Sequence, residues 1–194
     1  TRRTIPYYHP CVRCFVALDL PSPVCNHLIK VSAPLRERYD VRWVPRDQMH
    51  LTLLFGGDME PANVDGLMDI FDRLELPAIS LSLTAFGSFP PRGLPHVVWA
   101  GLAGDIEVIR ELQQTLTEQA EPLGVLPEKR AFTPHITLGR VQGQFGLLAM
   151  IDQMKELGEE LNPKPFAPTG LTLYRSTLTP KGPFYEVILR RELS

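Results

Sequence analysis

The chain has 194 residues, 44% of them hydrophobic and 22% charged, with a formal net charge of −2 and a sequence pI of about 6.2. That is enough chain for one large domain or two lobes sharing a core, and the charge excludes a global positive field able to grip long nucleic acid, so any nucleic acid is expected to be held locally, at an end. No apolar run approaches the ~20 residues of a membrane span and no signal-peptide pattern opens the sequence, so a cytoplasmic protein without membrane contact is expected.

Residues 1–10, TRRTIPYYHP, show no periodicity and are expected as a flexible lead-in to one domain over residues 11–194. CVRCFVAL, from Cys11, reads as a strand. Cys11 and Cys14 would point to its opposite faces, which disfavours a redox or metal pair. With Cys25 they are expected to be reduced and mostly packed. Ser22 as N-cap and Pro23 in the first turn open a helix carrying Val24, Leu28, Val31 and Leu35, which Pro34 should end or kink. HLTLLF, from His50, is a strand. Pro61 opens a second helix with Val64, Leu67, Met68, Phe71 and Leu74 on one face. ISLSLTAF alternates strictly and predicts a half-buried strand.

After the Pro-rich PPRGLP (90–95) the order repeats. HVVWAGL is a strand. Asp105 caps a helix bearing Ile106, Ile109, Leu112 and Leu116. FTPHITLGRV is a strand, and Leu147, Leu148, Ile151 and Met154 mark another helix. LTLYRSTL and FYEVILR close the chain as strands joined through TPKGP (179–183), a hairpin loop by its Gly and Pro. The interval from Val12 to His50 equals that from Val97 to His135, and LTAFGS at Leu83 matches LTLYRS at Leu171. These repeats predict an α+β fold of two duplicated β-α-β-α-β lobes. A pseudo-twofold axis would relate them, two antiparallel-type sheets would line a central cleft, and the lobes would join near residues 90–95.

The chemistry-bearing residues lie in that repeat. His50 and Thr52 sit two apart on one strand and therefore share a face; His135 and Thr137 do the same. One such pair is more simply a core histidine bonded to a carbonyl. Two equivalent copies point to a cleft offering two imidazoles and two hydroxyls. Histidine titrates near neutrality, so one ring can accept a proton while the other delivers one, as an in-line displacement at phosphorus requires. The hydroxyls can donate to non-bridging phosphate oxygens. Two histidines and two hydroxyls are a poor first shell for zinc, so neither metal nor cofactor is expected.

His9, His27 and His96 carry no motif; His27 is expected on a solvated helix face, and His96 at a strand start near the cleft. Among the arginines and lysines near predicted strand ends (Arg42, Arg46, Arg92, Lys129, Arg130, Arg175, Lys181), most are expected on a solvated rim. Arg140, five residues after His135, is the candidate phosphate contact. Strict alternation would turn it to the opposite face, so a bulge or strand end must redirect it. Phe55 holds the equivalent place after His50, either as core, the preferred assignment, or as a ring on which a base stacks.

CFVALDLP, VRWVPRDQMHLTLLFGG, FGSFPP, VVWAGL, FTPHITLGRV and LYRSTL together resemble the two-histidine phosphoesterase superfamily, and within it the RNA 2′,3′-cyclic phosphodiesterase or 2′-5′ RNA ligase family. The resemblance implies a bilobal α+β fold and metal-free hydrolysis of an RNA 2′,3′-cyclic phosphate end to a 2′-phosphate end. It implies His135 as proton acceptor, His50 as proton donor, Thr52 and Thr137 as motif threonines, and Phe55 and Arg140 near substrate. The substrate would be such an RNA end or a small cyclic nucleotide, and a monomer is expected. An RNA-end binding module or 2′-5′ ligation by reversal of the same chemistry are the alternatives. Binding alone would not require two titratable groups.

Overall fold

The computed structural model describes residues 10–193. The expected lead-in lies outside them apart from Pro10. Eight strands and four helices follow in the order β1 (Val12–Asp19), α1 (Ser22–Arg38), β2 (Val41–Trp43), β3 (His50–Met59), α2 (Pro61–Arg73), β4 (Leu81–Phe89), β5 (Val97–Gly104), α3 (Ile106–Ala120), β6 (His135–Val141), α4 (Leu147–Gly158), β7 (Gly170–Thr179) and β8 (Gly182–Glu192). They form two four-stranded sheets, β3-β1-β7-β8 and β2-β6-β5-β4, with every pairing antiparallel.

The duplication is present, with an exchange. The first half places β1 and β3 in one sheet but sends β4 to the other. The second half places β5 and β6 there and sends β7 back to β1. The helices cross in the same way. Leu28, Val31 and Leu35 of α1 share a core with α4 and β6, whereas Ile109, Leu112 and Leu116 of α3 share a core with α2, β1 and β3. Each lobe therefore contains elements of both chain halves. The segment 90–95 is not a junction between lobes, because it joins β4 to β5, its neighbour in the same sheet. Leu102 and Phe166 pack against both cores.

Local expectations differ at four points. Pro34 neither ends nor breaks α1, which runs on to Arg38; Pro34 lies on the exposed face while Val31 and Leu35 on either side are buried and hold that turn. The α1 N-cap is Pro21, one residue before Ser22. Asp105 stands at the α3 N-cap position, but its carboxylate accepts from the Ser80 amide at 2.8 Å instead of capping the helix. β2, too short to show periodicity, extends the second sheet beside β6. The hairpin after β7 is as expected, with Thr179 paired to Gly182. Among the described residues no helix is long and apolar enough to cross a membrane.

Candidate active site

The two motif strands are built alike down to their irregularities. In β3 the pairing with β1 slips between Leu54 and Thr52, leaving Leu53 as an extra residue. In β6 the pairing with β5 slips between Gly139 and Thr137, leaving Leu138 as the extra residue. Each bulge lets two successive residues turn inward, so Leu53 and Leu54, and likewise Leu138 and Gly139, are buried. Phase is thereby shifted, and Phe55 and Arg140 emerge on the same side as the motif side chains. The redirection that Arg140 requires is supplied by this bulge. The same bulge overturns the core assignment of Phe55, whose ring is 47% exposed.

A cavity of about 250 Å³ lies over these faces, lined by His50, Thr52 and Phe55 from β3 and by Thr137 and Arg140 from β6. His135 is not among its lining residues; its ring stands beside Thr137's face, edge-on to Phe89 at 5.0 Å and 6.3 Å from Trp99. Trp99 can reach this place because it lies over Gly87, where an added Cβ would come within 2.2 Å of the indole; a strand glycine permits that close approach. His50 lies 4.9 Å from Phe15 and edge-on to Tyr185 at 5.7 Å.

Both rings are held the same way. His50 Nδ1 lies 2.7 Å from the Gln48 carbonyl oxygen, and His135 Nδ1 lies 2.7 Å from the Thr133 carbonyl oxygen. A carbonyl can only accept, so each Nδ1 carries the hydrogen and each Nε2 is left for chemistry. His50 Nε2 is 3.0 Å from Thr52 Oγ1. Burial is the main influence on both imidazoles and lowers both pKa values from 6.5. Each ring feels one charge of each sign, but the larger effect differs between them. Asp19 opposes the lowering at His50, and His135 adds to it. Arg140 adds to the lowering at His135, and Glu128 opposes it.

Asp19 is the cross-strand partner of His50. Its carboxylate accepts from the hydroxyls of Thr172 and Tyr174, each at 2.6 Å, and from Arg190 Nε at 3.0 Å. That network fixes the carboxylate at the end of β1 and raises the Tyr174 pKa, burial being the larger cause. Among the described residues, no group of three or more His, Cys, Asp or Glu side chains is placed to hold a metal ion. Cys14 and Cys25 are buried and Cys11 is exposed. Burial pushes the Cys14 thiol up to about 11.

Residues 20–179 match the 2′-5′ RNA ligase superfamily. The chain belongs to that superfamily. Curated relatives in it include an RNA 2′,3′-cyclic phosphodiesterase of Methanocaldococcus jannaschii, 28% identical over 91% of this chain and 98% of the relative. Among solved structures, a Thermus thermophilus protein superposes with a TM-score of 0.78 at 28% identity, covering 93% of this chain and 97% of that one. Escherichia coli LigT complexed with 3′-AMP superposes with a TM-score of 0.76 at 26% identity, covering 95% and 99%. The two sheets and four helices are thus the fold of LigT-like members of this superfamily.

Several residues around this candidate site escape a reading of motifs alone. Ser176 is buried in the cavity wall. It is the closing serine of the LTLYRS repeat, so its recurrence at Ser88 is the available signal. Tyr185, Phe15 and Trp43 also line the cavity, and nothing in simple alternation distinguishes them from core residues. Of the scattered cations, Arg42 and Lys181 line the cavity, whereas Arg46, Arg92, Lys129, Arg130 and Arg175 do not. His96 is exposed and outside the lining. His27 is half-buried, not solvated, because its Nε2 accepts from the Asn162 amide at 2.9 Å.

Proposed function

We propose that the chain hydrolyses RNA 2′,3′-cyclic phosphate ends to 2′-phosphate ends by metal-free acid–base catalysis with His50 and His135. One observation carries the reading. Two imidazoles, each with Nδ1 tied to a carbonyl and Nε2 left available, are presented by matched bulged strands that also bring both motif hydroxyls and Arg140 to one cavity. The activity is that of the superfamily relatives, which are RNA 2′,3′-cyclic phosphodiesterases.

In this mechanism neutral His135 takes a proton from water as the water attacks phosphorus opposite the 3′-oxygen. Protonated His50 delivers a proton from Nε2 to that oxygen as it leaves, so the phosphate remains on the 2′-oxygen. Thr52 and Thr137 donate to the non-bridging oxygens, where negative charge grows. Thr52 turns from His50 Nε2 to do so. Arg140 adds a charge-assisted contact to the same phosphate, and the exposed Phe55 ring offers a face to the terminal base.

The donor set supports a metal-free route, since both Nδ1 atoms are engaged by carbonyls and the remaining motif groups are neutral hydroxyls. The test is incubation with a defined RNA ending in a 2′,3′-cyclic phosphate, before and after exhaustive EDTA treatment, with 2′- and 3′-phosphate products resolved. A 2′-phosphate product formed at the same rate in both is expected. A 3′-phosphate product would overturn the geometry of attack, and a loss restored by one divalent ion would overturn the metal-free route.

A further inference from the structure

We propose that Arg42 and Lys181 form a second phosphate subsite that takes the internucleotide phosphodiester on the 5′ side of the terminal nucleotide, so that the enzyme is built for oligonucleotide ends over cyclic mononucleotides. The inference rests on the activity proposed above and adds a substrate class to it.

The argument begins with charge. The whole chain carries a net charge of −2, yet the cavity is lined by Arg42, Arg140 and Lys181 and by no carboxylate. Among the described residues none of the three makes an ion pair. A 2′,3′-cyclic phosphate carries one negative charge. Arg140, on the strand that also bears His135 and Thr137, is placed for that phosphate. Two cations are then left over.

Their placement is specific. Arg42 is the cross-strand partner of Arg140 at the β2–β6 edge. Like charges directly opposite on a sheet repel, and the repulsion is relieved when anions occupy the space over them. Lys181 comes from the other sheet, in the tight turn between β7 and β8. The two walls meet here, since Arg42 Cδ lies 3.9 Å from the position a Cβ on Gly182 would take. Gln48 Nε2 donates to the Pro183 carbonyl at 3.3 Å and holds the hairpin against the segment leading into β3. Tyr185 lines the same cavity, and although burial raises its pKa, the charges of Arg140 and Arg42 both oppose that rise. Arg140 shares β6 with Thr137, Arg42 stands one strand further out on the sheet edge, and Lys181 precedes Gly182, the residue that Arg42 approaches. A chain end entering with its scissile phosphate at the motifs would meet the second pair with its next phosphate.

The test removes one charge from the substrate. Two dinucleotides ending in a 2′,3′-cyclic phosphate are compared, one with an ordinary internucleotide phosphodiester and one with an uncharged methylphosphonate there. For the wild-type protein kcat/KM is expected to be about tenfold higher on the charged substrate, the scale of a lost charge-assisted contact. The difference should shrink as salt is raised, since the pair is solvent-exposed. In the Arg42→Ala/Lys181→Ala variant the ratio should fall to about one. Turnover of both substrates by the wild type at equal kcat/KM would overturn the subsite while leaving the activity standing, as would a ratio unchanged in the variant. No turnover of either would overturn the activity and the subsite with it.

Discussion

The strands β3 and β6 present the same four-residue pattern, the same bulge and the same 2.7 Å carbonyl anchor on Nδ1, yet the two histidines stand among different neighbours. Opposite His50 is Asp19, held by three hydrogen bonds. Opposite His135 is Gly101, where even a Cβ would come within 2.6 Å of Thr84 Oγ1, so no acid can stand there. His135 instead feels Arg140 more strongly than Glu128, which opposes it. A carboxylate favours the protonated form and a guanidinium the neutral one. Shared geometry supplies two interchangeable reactive nitrogens, and unshared electrostatics favour His50 as the proton donor and His135 as the acceptor. The duplicated repeat brings two like motifs to one cleft; the departures from it are the basis for the proposed division of roles.

The comparison breaks most sharply if either ring is removed. His50→Ala and His135→Ala are each expected to lower kcat on an ordinary cyclic-phosphate end by about 100- to 10,000-fold, the range of a lost general acid or base. Steady-state assays on folded protein check this, and a variant retaining nearly full activity would remove that ring from the mechanism. Thr52→Ala and Thr137→Ala should each cost about 10- to 1,000-fold, as lost donors to a developing oxyanion. Unchanged kinetics in both would return the hydroxyls to a structural role.

The smallest effects sharpen the asymmetry itself. The kcat/KM profile should be bell-shaped, with both limbs on the acid side of 6.5 because burial lowers both pKa values. Rate is lost at low pH as His135 gains a proton and at high pH as His50 loses one. Asp19→Asn removes a charge that favours protonated His50, so the alkaline limb should move to lower pH. Arg140→Gln removes a charge that disfavours protonated His135, so the acid limb should move to higher pH. Both substitutions shifting the same limb would contradict the separate environments.

Much of this is legible in the chain because two-residue alternation and a repeated spacing are local signals. Seven of the eight strands, the four helices, the paired motifs and the need for a bulge or strand end to redirect Arg140 follow from them. The strand and helix exchange does not, because β4 satisfies its alternation equally well beside either sheet, and only tertiary packing chooses. Phe55 reads as core for a related reason. Hydrophobic character points inward by default, and the phase shift at Leu53 that turns the ring outward exists only in the pairing register. Asp19, at the end of the first strand, carries no local signal, since its partners Thr172, Tyr174 and Arg190 are more than 150 residues away.

The central claim is that the two histidines do opposite work, and leaving-group chemistry tests it most directly. A substrate with sulfur in place of the 3′-oxygen departs as a thiolate and needs little protonation. His50→Ala should recover much of its lost rate on that substrate, and His135→Ala should not. Rescue of His135→Ala in place of His50→Ala would contradict the assignment.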